Sequence, residues 1–278
     1  MTQFKKMVLA NVTALSLVNL VPLSLLLLGV VALSVFGGDS EPEVPDGAVL
    51  VIDLSTAITD GPQVEDPSAA LNALVGGGEA PQMTLLQAVR GVRAAANDDR
   101  IDSIFLQGRL LNDAGGTSIA NLREFRGALQ AFQSAGKSIV GYAESPSLRD
   151  YFVLSLADEL ILNPYGVVDL TGLSSRSPYL AEAFERFGIG VQTLRVGEYK
   201  SFTEIFTRSD MSPEDREQRE ALLSGLWTEI LASYAEDRTS TVATLQALSN
   251  ERGFLDANEA LAAGLVDRVA PLGDIIGE

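Results

Sequence analysis

The sequence predicts an α/β domain in which helices cover a largely parallel sheet, preceded by a single membrane-spanning helix. Three observations carry that expectation. Short β-branched runs alternate with segments of helical period along most of the chain, the pattern of strands joined by covering helices. No charged side chain occurs from Met7 to Gly38, a nearly continuous apolar run longer than the roughly 20 residues that cross a bilayer core. The chain also has no cysteine and no histidine, so stability must come from a packed core and not from disulfides or a thiolate or imidazole metal site.

The elements follow in order. Lys5 and Lys6 precede the apolar run and Gly37-Gly38-Asp39-Ser40-Glu41-Pro42-Glu43 follows it, so the positive-inside rule keeps the amino terminus cytoplasmic and exports the remainder. A cleaved secretory signal is the alternative, but its apolar region is about 7–15 residues long and ends at an A-x-A-like site. This run is longer and lacks such a site, so a retained anchor over residues 1–38 is expected, with Asn19 and Pro22 tolerable inside a membrane helix. An acidic linker, 39–46, comes next. The exported part is long enough for one α/β domain with a sizeable core, or for two small ones.

Gly47 to Leu54 (GAVLVIDL) reads as a buried first strand, and Asp60 to Gln82, rich in Pro, Gly and acidic residues, as a mobile arm. Leu85, Leu86, Val89 and Val92 give Thr84 to Asn97 helical spacing, and Ile104-Phe105-Leu106 is the next strand. A helix from Ser118 to about Ser134 places Leu122, Phe125, Leu129 and Phe132 on one face. Strand 138–142, helix 147–156, strand 160–162, helix 179–187 and a strand from Gly190 to Val196 continue the alternation. Ser212-Pro213-Glu214-Asp215 is a helix start with a capping serine, a proline in the first turn and carboxylates at the positive end of the dipole. That helix runs to about Asp237, with Leu222, Leu223, Leu226, Trp227, Ile230 and Leu231 as core or subunit contacts. Helices 242–248 and 257–263 and a final strand, Leu265-Val266-Asp267, complete the series.

Charge and composition exclude several functions. All 37 acidic residues lie beyond the anchor with 18 of the 20 basic ones, which argues against nucleic acid and anionic lipid as partners. No cofactor is expected. If the chain belongs to a hydrolase, a mechanism based on His or Cys is excluded, and lysine is the remaining nitrogen base. Beyond the anchor the lysines are Lys137 and Lys200. Lys200 follows an expected strand and a glycine turn, where sites in α/β sheets gather. Tyr199, Phe202, Ile205 and Phe206 place apolar bulk nearby, and desolvation lowers a lysine pKa from about 10.4 towards neutrality. The competing reading of the same residues is a solvated Lys200–Glu204 pair at i, i+4.

The string RVGEYKSFTEIFTRSDMSPEDREQ at 195–218 resembles the lysine motif of the long form of the signal peptide peptidase A (protease IV) family. The anchor, SAGKSIVGYAES at 134–145, LADELILNPYGVVDLTGL at 156–173 and FLDANEALAAGLVD at 254–267 resemble that family in the same order. The lysine segment is specific, whereas the Gly-Leu-Val-Asp ending is shared across the ClpP/crotonase superfamily. The resemblance implies a ClpP/crotonase-like parallel sheet with covering helices over 47–278, the first of two homologous halves. It implies a Ser/Lys dyad formed across the halves, with Lys200 as general base and the serine in a second half beyond Glu278. It further implies signal peptides as substrates, a homo-oligomeric ring or bowl, and a single-pass protein of the bacterial inner membrane with its main domain extracytoplasmic.

Ser147 falls near the position that the nucleophile occupies in the homologous half. Leu148-Arg149 stand where the family's serine is followed by glycines, which lets fewer backbone amides approach an oxyanion. Leu173 replaces the serine that hydrogen-bonds the lysine. Ser147 is therefore expected to cap a helix or shape a turn. Gly115-Gly116 resembles the amide-donating turn beside a scissile carbonyl, although a tight turn explains it equally well. Two other functions remain: a non-catalytic, membrane-anchored assembly module, and an acyl-CoA enzyme on the same fold, which the acidic surface disfavours.

Overall fold

The computed structural model describes residues 44–60, 82–110 and 117–275. The chain divides into two compact units, Met1–Pro45 and Asp46–Glu278. The expected anchor, most of the acidic linker, residues 61–81 of the expected arm and the Gly115-Gly116 turn lie outside the described residues. Among the described residues no helix is long and apolar enough to cross a membrane.

The second unit alternates as its sequence predicts. β1 (Ala48–Asp53) leads to β2 (Ala57–Thr59), which pairs in parallel with β3 (Gln82–Thr84). Thr84 then caps α1 (Leu85–Ala96) reciprocally with Gln87, so two orphan amides of the first turn are satisfied. β4 (Ile101–Gln107), α2 (Ile119–Ser134), β5 (Ser138–Ala143), α3 (Leu148–Leu154) and β6 (Glu159–Leu162) follow, with Ser118 and Ser147 as caps. β7 (Val167–Asp169) and α4 (Ala181–Arg186) precede a single 3-10 turn, Ser201–Thr203, and α5 (Glu204–Thr207). The chain continues through α6 (Pro213–Asp237), α7 (Val242–Glu251), β8 (Phe254–Asp256), α8 (Ala257–Ala262), β9 (Arg268–Val269) and α9 (Leu272–Ile275).

The main sheet has the order β1-β4-β5-β6-β9, and every pairing in it is parallel. Such strands need covering helices, because a parallel sheet is stable only with its faces buried. On α2 the predicted face, Leu122, Phe125, Leu129 and Phe132, is fully buried. At the far end of α6, Ile230, Leu231 and Tyr234 enter the core. Tyr234 packs edge-on against Tyr151 at 4.7 Å, and its hydroxyl donates to the Leu148 carbonyl at 2.7 Å. Arg126 and Asp237 form a buried ion pair at 2.9 Å, and the Ser155 hydroxyl donates to the same carboxylate. These contacts fix the carboxyl end of α6 to α2 and α3. Gly166 sits so close to the Glu144 carbonyl that any side chain there would collide with it.

Three expectations are corrected. β1 is not buried on both faces: it is the sheet edge, and Val49 and Val51 on one face are exposed. The strand expected from Gly190 to Val196 does not form, because no neighbouring strand pairs with its backbone among the described residues. The last strand begins at Arg268, since Leu265 still bonds back to α8 through Ala260 and only Asp267 reaches β6, at the Leu160 carbonyl. Of the α6 positions expected as core or subunit contacts, Ile230 and Leu231 are core and Leu222 is on the surface. β7 and β8 form a small antiparallel pair outside the main sheet.

Candidate active site

The lysine-bearing segment follows β7 and ends where α6 begins. Every residue from 185 to 200 is exposed, Lys200 included. Gly197 has φ +99°, a conformation that other residues rarely adopt, and it turns the chain immediately before Lys200. Lys200 then precedes the 3-10 turn, so the expected helical start is present although the expected strand is not.

Lys200 lies on the wall of a shallow concavity of about 580 Å³, beside Leu194, Val196, Tyr199, Phe202 and Gln218. The apolar neighbours expected to remove water from its amine leave Lys200 exposed. Tyr199 and Phe202 are themselves exposed, while Phe206 stacks on Phe184 of α4 at 6.3 Å and the Ile205 carbonyl accepts from Leu180 N at 2.7 Å. The i, i+4 pair with Glu204 is not formed either, and Lys200 has no side-chain partner among the described residues.

Two buried carboxylates shape this loop, and neither was singled out for it from sequence. Glu204 is engaged by Arg195 Nη1 at 2.9 Å, by the Ser212 hydroxyl at 2.9 Å and by the Ser212 amide at 3.3 Å. Burial alone would raise its pKa, but the hydrogen bonds from Ser212 and Arg195 outweigh burial and hold it below its ordinary value. Asp215 accepts from the Ser201 hydroxyl at 2.7 Å and from Arg219 Nε at 2.8 Å. There too burial opposes ionisation, and the bonds from Ser201 and Arg219 win, so the carboxyl sits below its usual range. Opposite charges spaced around a capping serine were visible in the sequence; their burial was not.

Ser147 takes the capping role expected of it. Its hydroxyl donates to Asp150 Oδ2 at 2.7 Å, its amide donates to the same oxygen at 2.8 Å, and the Asp150 amide returns a bond to the hydroxyl. Asp150 is itself buried and accepts from Leu110 N at 2.6 Å. Ser147 does not line the concavity that contains Lys200. A second hollow of about 300 Å³ lies at the carboxyl ends of β4 and β5, lined by Gln107, Arg109, Tyr142 and Glu144. Among the described residues no acidic cluster could hold a metal ion.

Comparison with known proteins places the chain in a family. Residues 131–278 match Peptidase family S49, a span that includes Lys200 and both carboxylates of its loop. The chain is 30% identical over 238 residues to "Protease 4" of Haemophilus influenzae, covering 85% of this chain and 38% of that protein. It is 28% identical over 269 residues to "Protease 4" of Salmonella typhi, covering 92% and 43% respectively. A third relative is "Serine protease SPPA, chloroplastic" of Arabidopsis thaliana, 28% identical over 172 residues, 62% of this chain and 25% of that one. The chain thus spans less than half the length of the curated relatives it matches. With more than half of its residues inside the family match and the lysine loop within them, the chain belongs to Peptidase family S49.

Proposed function

We propose that this chain is the membrane-anchored, lysine-bearing half of a serine endopeptidase that cleaves released signal peptides, with Lys200 as general base. The neutral amine takes the proton from a serine hydroxyl as its oxygen attacks the scissile carbonyl, then delivers a proton to the departing amine; attack by water releases the acyl group in the same way. The serine comes from a second half. One observation carries this reading: among the described residues Lys200 has no side-chain partner, and it stands on an apolar concave wall that is open on the solvent side. A serine-bearing surface closing that wall would meet the amine and exclude water from it.

The surroundings support the same reading. Leu194, Val196, Tyr199 and Phe202 offer an apolar surface suited to a partner half and to substrates that are themselves apolar segments. The relatives are more than twice as long as the matched region, which leaves room for a serine half. The anchor over 1–38 would hold the assembly, a homo-oligomer, on the outer side of a bacterial inner membrane where signal peptides are released. The test is cleavage of an apolar peptide by the complete protein, by its Lys200→Ala variant and by purified residues 39–278. Cleavage by the complete protein alone is expected; turnover retained without Lys200 refutes the assigned role.

A second reading, a non-catalytic assembly module, is favoured by the commitment of the Ser147 hydroxyl to its helix cap. It holds if no serine-bearing half joins this one. Cleavage by residues 39–278 alone would exclude it.

A further inference from the structure

We infer that Asp215 is a positioning residue for Lys200, acting through the Ser201 hydroxyl; the inference rests on the general-base reading above. Lys200 has no capping or side-chain bond of its own among the described residues, so its place depends on its neighbours. Both of them reach α6. The Tyr199 hydroxyl donates to Glu217 Oε2 at 3.2 Å in an exposed contact, which solvent weakens. The Ser201 hydroxyl donates to Asp215 Oδ1 at 2.7 Å, and Asp215 is only 4% exposed, so this bond is the stronger restraint.

Asp215 is held on every side. Its second oxygen accepts from Arg219 Nε at 2.8 Å, Arg219 Nη1 donates onward to Ser175 Oγ at 2.8 Å, and the Asp215 amide donates to the Ser212 hydroxyl at 3.1 Å. Capping does not require this burial. Glu214, in the same first turn, complements the helix dipole with its carboxylate only partly buried. Glu204 meanwhile joins Arg195 and Ser212, so it restrains the loop at its two ends while Asp215 fixes the middle, next to the lysine. A general base must stand within hydrogen-bond reach of the proton it removes, and a displacement of about 1 Å costs about a hundredfold in rate.

The test compares kcat and KM of the complete peptidase on an apolar peptide for Ser201→Ala, Ser201→Thr, Asp215→Ala and the Ser201→Ala/Asp215→Ala double variant. Ser201→Ala and Asp215→Ala should each lower kcat about tenfold or more with KM within about twofold, and the double variant should fall no further than the worse single one. Ser201→Thr, which keeps the hydroxyl, should recover most of the rate. Additive losses, or a Ser201→Ala kcat within about twofold of the parent, would overturn the inference. If Asp215→Ala does not fold, the Ala and Thr variants of Ser201 decide alone. Lys200→Ala separates the two ideas: turnover in that variant removes the base reading, whereas an inactive Lys200→Ala beside a fully active Ser201→Ala removes only the role of Asp215.

Discussion

The sheet core and the lysine-bearing loop are built by opposite means. In the core the large side chains are hidden, with Phe125, Phe132 and Tyr151 at most 1% exposed, whereas in the loop Phe187, Leu194 and Phe202 are 74%, 97% and 78% exposed. The core is held chiefly by apolar packing, with a buried ion pair and hydroxyl bonds where α6 meets α2 and α3. The loop instead takes its shape from two buried carboxylates and the first turn of α6. A segment that spends its polar bonds on its own shape leaves its apolar residues free for something outside it, which is the arrangement expected of a surface completed by a partner.

That contrast can be broken or sharpened by substitution. Lys200→Ala should lower kcat of the complete peptidase by about 10²- to 10⁴-fold with no change in the melting temperature, since the side chain is exposed and has no partner among the described residues. A large drop in melting temperature would show that the loop and the core are not separate. Phe132→Ala in the core should cost about 3–5 kcal/mol in urea denaturation, through lost transfer energy and the cavity left behind. Acid should then loosen the loop before the core. Glu204 and Asp215 have folded pKa values below their ordinary 4.5 and 3.8, so the stability they contribute is present above those values and lost as pH falls through the lowered folded ones. Hydrogen-exchange protection, corrected for the intrinsic pH dependence of exchange, should therefore fall first in 195–215 between pH 6 and pH 3; equal protection at both would sink the idea. Ser212→Ala should cost about 1 kcal/mol as a lost cap. Phe202→Ala should lie within about 0.5 kcal/mol in the same denaturation, as an exposed side chain far from core packing.

Legibility in the sequence followed the range of the forces involved. Helix starts were plain because a cap is a local event: Thr84, Ser118, Ser147 and Ser212 each sit where a side-chain oxygen meets an amide three residues on. The α2 face was plain because its 3.6-residue period reports one buried side. Residues 190–196 have the composition of a strand, yet a strand exists only through a neighbour, and none pairs with them among the described residues. The edge position of β1 and the delayed start of β9 were hidden for the same reason. In the site, Lys200 stood out by elimination and by its motif, while Asp215 looked like an ordinary carboxylate in a first helical turn. Its bond to Ser201 crosses fourteen residues of chain, a distance that no local pattern encodes.

Sequence alone determined the alternation of strands and helices, their caps, the acidic surface, the absence of any imidazole or thiol, and the identity of the one lysine in the family motif. Those are properties of residues and of neighbours a turn apart. Tertiary structure decided which strand is the edge, which apolar residues stay in water, and which carboxylates are buried beneath the lysine loop. Each of these depends on groups far apart in the chain meeting in space, where burial makes a hydrogen bond strong and an unpaired charge costly.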